Sequence, residues 1–243
     1  MKPFIFILTF CALHIVCAAQ RIVAMTSADA AYDKAVAFYN ASFGPELRIF
    51  NGKEYQEYRE SFKEGHPYFV TNAFSKGTLH YEGSKYEDVS LLYNLVTDQL
   101  IILNASGSAK IQLIKERVDS FSFPAHAFIN IGTDSALSQG LSSGFYEVLS
   151  TGKINLLARH TKNIQATVRD VVETKVFSKD HHFVRSNHVY IEINSKKALL
   201  KQMNDKRKEL QQFIKQNKLN YRKNGEEAMV KIVEYYNQIT KER

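Results

Sequence analysis

The feature that most constrains the fold is the pattern of hydrophobic residues over 46–194. Short apolar or alternating segments follow one another there, separated by residues typical of turns. Val189, Ile191 and Ile193 alternate with more polar neighbours, and Thr97–Asp98 separates two apolar runs. A period of two is typical of half-buried strands, and many short strands at close spacing indicate an antiparallel sheet. We therefore predict an antiparallel β-rich domain, sandwich or barrel-like, over 46–194.

Turn signals suggest where these strands end. Asn51–Gly52 follows the apolar segment Leu47–Phe50 and predicts a hairpin, and Glu82–Gly83 predicts another. The Gly- and Ser-rich stretch Gly132–Gly144 is typical of a loop. The pattern of His160–Asp180 fits either a helix or strands.

Helical periodicity occurs on both sides of the β-rich region. Apolar residues recur at three- and four-residue intervals over 27–42 and again after Ser195, where Asn224–Glu227 resembles a capping box. The predicted fold class is α+β, with an antiparallel β-rich domain followed by a basic helical C-terminal region. The predicted organisation is a signal peptide over 1–19, an N-terminal helical segment over 20–45, the β-domain over 46–194, and basic helices over 195–243 docked on it.

The first nineteen residues predict a secretory signal peptide. A short basic start, Met1–Lys2, precedes an apolar run, and small residues end at Ala19, after which cleavage is expected. The apolar run is shorter than the roughly 20 residues that a transmembrane helix needs. A retained membrane anchor is the alternative interpretation. No later segment is long and apolar enough to span a membrane.

Both cysteines of the chain, Cys11 and Cys17, lie within this predicted signal peptide. The mature chain would then contain no disulfide, no thiolate nucleophile and no cysteine-ligated metal. Disulfides are frequent in small secreted domains of oxidising compartments. A cysteine-free exported chain therefore favours a bacterial envelope, its periplasm or cell surface, over an animal extracellular space.

The basic excess is concentrated in one region. Ser195–Lys223 contains ten lysines and arginines against Asp205 and Glu209, a net charge of +8, whereas the whole chain carries +7. A basic helical face attracts anionic surfaces, although a solvated face that serves only solubility is the simpler interpretation. Nucleic acid is not an expected partner of an exported chain. The predicted contact residues are Lys196, Lys197, Lys201, Lys206, Arg207 and Lys208.

Histidines are the main candidates for site chemistry. His182 and His188 are an even number of residues apart, so on one strand they would share a face and can be considered as metal ligands. No acidic residue at a typical spacing completes the set, and surface histidines are the simpler interpretation. The sequence indicates no cofactor.

Motifs with a definite chemistry do not occur. No H-E-x-x-H pair is present, and no Gly-rich phosphate loop occurs. Gly140–Gly144 matches the letters of G-x-S-x-G, but it lies in the stretch predicted as a loop, and a nucleophile elbow requires a sharp turn from a strand into a helix. His66, His126 or His160 can still pair with distant acids, because catalytic groups meet in space rather than in sequence.

A series of short motifs runs along most of the chain: Gly65–Phe69, Tyr81–Gly83, Leu92–Asn94 with Asp98, Gly144–Glu147, Lys197–Leu200, Asn217–Leu219 and Tyr235–Tyr236. In this order they resemble a family of uncharacterised exported proteins of Gram-negative bacterial envelopes, a family without an assigned activity. The resemblance implies export and a single architecture, and it supplies no catalytic residues.

These observations predict an exported, non-catalytic binding or interaction protein of the cell envelope. Its expected partner is an envelope protein or an anionic envelope surface. One alternative is a carrier of a small ligand or glycan, with some of the 13 tyrosines and 16 phenylalanines lining a cavity of the β-domain. Another is a hydrolase without a readable motif.

Overall fold

The computed structural model describes residues 48–59, 61–168, 172–186 and 189–241, together with 31, 32, 34, 35 and 38. The chain divides into two compact units, Met1–Arg48 and Ile49–Arg243. In the first unit the described residues 31–38 are helical, as expected for the segment 27–42. The predicted signal peptide, with Ala19 and both cysteines, lies outside the described residues, and the predicted domain boundaries stay predictions.

The second unit contains one open antiparallel sheet of eleven strands, ordered β1-β5-β4-β3-β2-β6-β7-β8-β9-β10-β11. The strands are β1 Lys53–Glu54, β2 Ser75–Tyr81, β3 Ser84–Asn94, β4 Gln99–Leu103, β5 Lys110–Gln112, β6 Val118–Phe123, β7 His126–Ile131, β8 Gly144–Ser150, β9 Leu156–Val168, β10 Val172–Ser186 and β11 Val189–Glu192. The predicted α+β class, an antiparallel β-rich domain with C-terminal helices, is confirmed.

Residues with positive φ form two of the connections between strands. Glu82 and Gly83 have φ values of 51° and 74° between β2 and β3, and Asp98 has a φ of 53° before β4. Short polar residues and glycine adopt this left-handed region at low cost. The described residues of the ambiguous segment His160–Asp180 belong to β9 and β10, which pair as antiparallel strands.

The predicted hairpin at Asn51–Gly52 is wrong. Arg48–Phe50 forms a 3-10 turn rather than a strand, and β1 pairs with β5 instead of with the residues before the turn. A Cβ on Gly52 would lie 2.1 Å from the carbonyl oxygen of Gln112, so the glycine permits a close approach of two backbones. The predicted loop Gly132–Gly144 contains the short helix α1, Thr133–Gln139.

The sheet is strongly curled. The backbone nitrogen of Lys162 on β9 donates to the carbonyl of Leu95, just after β3, at 3.2 Å. Four strands of the sheet order separate β3 from β9, so β2, β6, β7 and β8 must bend around an enclosed space. The residues 63–71, which we call the bridging segment, pair with β10 at Glu64 and with the end of β3 at Tyr68.

Three helices follow the sheet: α2 Lys196–Gln202, α3 Arg207–Gln216 and α4 Gly225–Lys241. The expected apolar stripe is buried in a core shared with strand residues: Leu156, Val184, Leu199, Leu200, Met203, Leu210, Ile232, Val233 and Tyr236. Ser195 caps α2 by accepting a hydrogen bond from the backbone nitrogen of Ala198. Within the described part of the chain, no helix is long and apolar enough to cross a membrane.

One buried amide attaches α4 to the sheet. The Oδ1 of Asn237 accepts from the backbone nitrogen of Ile154 and its Nδ2 donates to the carbonyl of Ile154, both at 2.9 Å. A Cβ on Gly152 would lie 2.6 Å from the Asn237 side chain. The turn between β8 and β9 is therefore shaped around this amide.

We expect Asn237→Ala to lower the free energy of unfolding by about 2–3 kcal/mol, because it leaves a buried backbone donor and acceptor unpaired. Urea denaturation followed by circular dichroism measures the loss. Asn217→Ala is the matched control, since the Asn217 amide is exposed and donates to the carbonyl of Phe213 in the neighbouring turn of α3. An equal loss in both variants would contradict the role of the buried amide.

Candidate functional site

Four neighbouring strands each contribute one polar side chain to a row, which we call the acid–histidine row: His126 on β7, Glu147 on β8, His160 on β9 and Asp180 on β10. The register places Phe128 opposite Glu147, Glu147 opposite Ala158, and His160 opposite Asp180. Residues two apart on a strand share a face. All four side chains therefore lie on one face of the curled sheet.

A continuous chain of hydrogen bonds joins the row. His126 Nδ1 and His160 Nε2 bond the two carboxylate oxygens of Glu147 at 2.6 and 2.7 Å. His160 Nδ1 bonds Asp180 Oδ1 at 2.7 Å. Glu147 and His160 are nearly buried, with side chains 5% and 9% exposed, whereas Asp180 is half-exposed.

The charges of the row follow from these contacts. Burial would raise the pKa of Glu147, but the hydrogen bonds from His160 and His126 hold it below its ordinary value. Burial would likewise lower the pKa of His160, but Asp180 and Glu147 together raise it to about 9. At neutral pH His160 is therefore an imidazolium between two carboxylates.

This assignment determines the proton on His126. An ionised carboxylate only accepts hydrogen bonds, so the Nδ1 of His126 must donate to Glu147. The Nε2 of His126 makes no hydrogen bond to any residue that the structure describes. The side chain of His126 is 35% exposed. Its Nε2 is therefore the atom of the row that is available to a ligand.

His126 lines a pocket of about 210 Å³. The lining is mainly apolar. It comes from the bridging segment and the residues that follow it to the start of β2, from β3, and from the end of β6 to the start of β7: Phe69, Val70, Thr71, Ala73, Ser75, Leu91, Leu92, Tyr93, Phe123, Pro124 and His126. Phe69 contacts the imidazoles of both His126 and His160, with ring centroids 4.9 and 5.3 Å apart. The pocket thus combines aromatic walls with an imidazole whose Nε2 has no hydrogen-bond partner among the described residues.

The bridging segment holds Phe69 in place. Lys162 Nζ donates to the carbonyls of His66 and Tyr68 at 2.8 and 2.5 Å, and the backbone nitrogen of Phe69 donates to Tyr93 at 2.8 Å. The next residue, Val70, has a φ of 48°, an uncommon value for a β-branched side chain. Such strain costs roughly 1–3 kcal/mol and persists only where the surroundings enforce it.

A second network fixes the pocket residue Tyr93. Its hydroxyl donates to Asp98 Oδ1 at 2.6 Å, while Lys115 donates to Asp98 Oδ2 at 2.5 Å. Arg159 lies 3.7 Å from the same oxygen. A Cβ on Gly144 would lie 2.5 Å from Asp98 Oδ2, so glycine is needed there. Burial, followed by the negative charge of Asp98, raises the pKa of Tyr93 well above its usual range.

The metal-ligand candidates are placed elsewhere. His182 Nε2 bonds Glu226 of α4 at 2.8 Å, His181 bonds Glu192 of β11 at 2.7 Å, and His188 lies outside the described residues. Among the residues that the structure describes, no group of three or more His, Cys, Asp or Glu side chains can hold a metal ion. Zinc or copper binding by His182 and His188 has no further support.

The predicted anionic-contact residues do not form one uniform face. Lys206 is ion-paired with Glu209 at 3.2 Å, and Lys201, Arg207 and Lys208 are exposed. The other two members of the set, Lys196 and Lys197, line a concave region between α2 and the end of α3.

Sequence reasoning named the histidines of the row without their partners. His126 and His160 share Glu147, whereas His66 lies outside the row and accepts a hydrogen bond from the backbone nitrogen of Tyr68. Glu147 appeared only within the motif Gly144–Glu147. The signal that could have identified it is a lone carboxylate inside an apolar strand, because a buried charge requires partners.

Comparison of the chain with protein-family models, curated proteins and solved structures finds no match. The resemblance to exported envelope proteins stays a prediction. In the structure, three of the motifs that carry this resemblance meet at the pocket and its networks: Gly65–Phe69, Leu92–Asn94 with Asp98, and Gly144–Glu147.

We expect His160 to make stability depend on pH. Its pKa is raised from about 6.5 in the unfolded chain to about 9 in the folded protein, so its contribution is complete below pH 6.5 and is lost as pH rises towards 9. The linked loss is about 3 kcal/mol, at about 1.4 kcal/mol per pKa unit. Urea denaturation between pH 6 and pH 9 measures it.

His160→Gln should remove most of this pH dependence, since an amide does not titrate. His80→Gln, which replaces a half-buried histidine of β2 outside the row, should keep the wild-type slope. Parallel stability curves for wild type and His160→Gln would exclude a protonated His160 in the folded protein.

Proposed function

We propose that this protein is an exported, non-catalytic binding protein of the cell envelope that holds a small, mainly apolar ligand in the pocket beside His126. The observation that carries the proposal is the combination of aromatic walls with one imidazole nitrogen left without a partner among the described residues. Ligand sites are typically apolar concavities with a few placed polar groups. The export component is supported by the N-terminal sequence pattern alone.

The size and the chemistry of the pocket limit the ligand. At about 210 Å³ the pocket is smaller than the roughly 300–1,000 Å³ typical of drug-sized ligands. A small molecule, or one apolar segment of a longer molecule, matches this volume. Thr71, Ser75 and His126 are the polar groups of the lining. They favour a ligand with a single hydroxyl or carboxyl group on an apolar body.

The rigidity of the site also supports binding rather than chemistry. Both oxygens of Glu147 and both nitrogens of His160 are already hydrogen-bonded within the row. The row therefore orients His126. Within the row, the Nε2 of His126 is the atom that stays available as an acid or a base. A preorganised site binds with a smaller entropic cost than one that must order itself.

We expect Ala73→Phe to weaken binding of the neutral apolar dye N-phenyl-1-naphthylamine by about tenfold or more, because the added ring occupies the pocket. Ala73 is an exposed pocket residue, so the change does not disturb the core. Fluorescence titration measures the affinity. Ala166→Phe, on the exposed end of β9, is the control and should bind like wild type. Equal affinity in all three proteins would exclude this pocket as the binding site.

Hydrolysis is a second candidate function, and one observation favours it. A carboxylate that orients a histidine, with the second imidazole nitrogen free, is the arrangement of a general base. No serine or threonine hydroxyl in the described part of the chain hydrogen-bonds His126, so the base would have to activate water.

An esterase assay separates the two functions. Under the binding proposal we expect wild type and His126→Gln to hydrolyse p-nitrophenyl acetate at the same slow rate, which is the rate that exposed histidines produce in any protein. Turnover with saturation kinetics that disappears in His126→Gln, while the fold is retained by circular dichroism, would favour the hydrolase.

A further inference from the structure

A second concave site lies at the C-terminal helices, away from the His126 pocket. It has a volume of about 770 Å³, within the range of ordinary ligand sites. Its lining comes from the start of α2, the end of α3 and the α3–α4 connection: Asn194, Ser195, Lys196, Lys197, Ile214, Lys215, Lys218, Leu219, Asn220, Tyr221 and Arg222. We call this region the basic cleft.

The charge of the basic cleft has one sign. Five of its lining residues are lysine or arginine and none is acidic: Lys196, Lys197, Lys215, Lys218 and Arg222. None of these five forms an ion pair within the part of the chain that the structure describes. By contrast, the nearby Lys153, Lys206 and Lys231 are paired with Asp205, Glu209 and Glu227. Five cations of the helical region that form no ion pair among the described residues thus lie around one concavity.

The wall of the cleft is ordered by its own hydrogen bonds. Asn220 Oδ1 accepts from the backbone nitrogens of Arg222 and Lys223 at 3.0 and 3.1 Å. The backbone nitrogen of Leu219 donates to Ile214 at 3.1 Å, which closes the end of α3. Lys218 takes a φ of 50° at this point. Lys218 and Arg222 are therefore presented by a defined turn, whereas Lys196, Lys197 and Lys215 are presented by helices.

Like charges gathered in one concavity repel each other, and a concave wall concentrates their field. An anion that enters the cleft relieves this repulsion and meets several ammonium groups at once. Lysine ammonium groups bind phosphate as point charges and do not require planar, bidentate geometry. Five cations and no acidic residue favour a ligand with two or more phosphate groups over one with a single negative charge, and the volume of the cleft admits such a ligand.

We infer that the basic cleft is a binding site for a compact molecule that carries at least two phosphate groups. The shared chemistry includes a soluble bisphosphate and the headgroup of a bisphosphate lipid. The site uses Lys196 and Lys197 of the predicted basic face, joined by Lys215, Lys218 and Arg222, and it excludes Lys201, Arg207 and Lys208. It is independent of the pocket beside His126.

The test compares two triple variants with the same change of charge. The cleft variant is Lys197→Glu, Lys215→Glu and Lys218→Glu. The control variant is Lys201→Glu, Arg207→Glu and Lys208→Glu, which alters exposed residues of the same two helices outside the cleft. Circular dichroism and thermal unfolding check that both variants keep the fold.

Two probes distinguish the sources of the phosphate groups. Isothermal titration calorimetry at low salt measures binding of pyrophosphate, and co-sedimentation measures binding to phosphatidylcholine vesicles with and without cardiolipin. We expect the cleft variant to bind at least one probe about tenfold or more weakly than wild type, and the control variant to stay within about threefold. Binding of pyrophosphate indicates a soluble ligand, and binding of cardiolipin vesicles alone indicates a lipid headgroup.

Two results would overturn the inference. Wild-type protein that binds neither probe has no such site. Equal weakening of both variants would mean that the net charge of the helical region, and not the cleft, attracts the anion.

Discussion

The curl of the eleven-stranded sheet is the constraint on which the site depends. It brings β9 to the end of β3, where Lys162 and Leu95 share a backbone hydrogen bond, although four strands lie between them in the sheet. The bridging segment spans the same gap and is hydrogen-bonded to β3 and β10 at its two ends. Without this curl the aromatic rings that Phe69 contacts would not lie beside it, and the pocket would lack one wall.

Inside the curl, polar and apolar chemistry are organised together. Glu147 can be buried because two imidazoles satisfy both of its oxygens, and His160 can be charged because two carboxylates flank it. A buried ion pair contributes little net stability, since desolvation offsets the Coulomb attraction, but removing one partner is strongly destabilising. The row therefore has two effects: it orients His126, and it stabilises the fold only while His160 is protonated. The strained Val70 at the pocket wall agrees with a site that is held in a set geometry.

Local patterns were sufficient for much of the fold. Alternation and turn residues predicted the antiparallel domain, and glycine or polar residues with positive φ stand at the Glu82–Gly83 and Asp98 turns. The prediction of a hairpin at Asn51–Gly52 was wrong because Gly52 is required where the backbone passes close to Gln112. Local turn statistics contain no information about such a tertiary contact. The segment His160–Asp180 stayed ambiguous because its long strands carry many polar residues, and their pairing partner, not their period, makes them strands.

The sequence by itself determined the α+β class, the concentration of basic residues after Ser195 and the histidines worth considering. These properties depend on residue type and on spacing over a few positions. They can therefore be inferred without knowing which residues are neighbours in the folded protein. Only the tertiary structure decided that Glu147 joins His126 to His160, and that Lys215 and Lys218 join Lys196 and Lys197 in one cleft. Strand register, the curl of the sheet and the turn between two helices determine these contacts. Each of them brings together residues that are far apart in the chain, and short-range spacing contains no information about them.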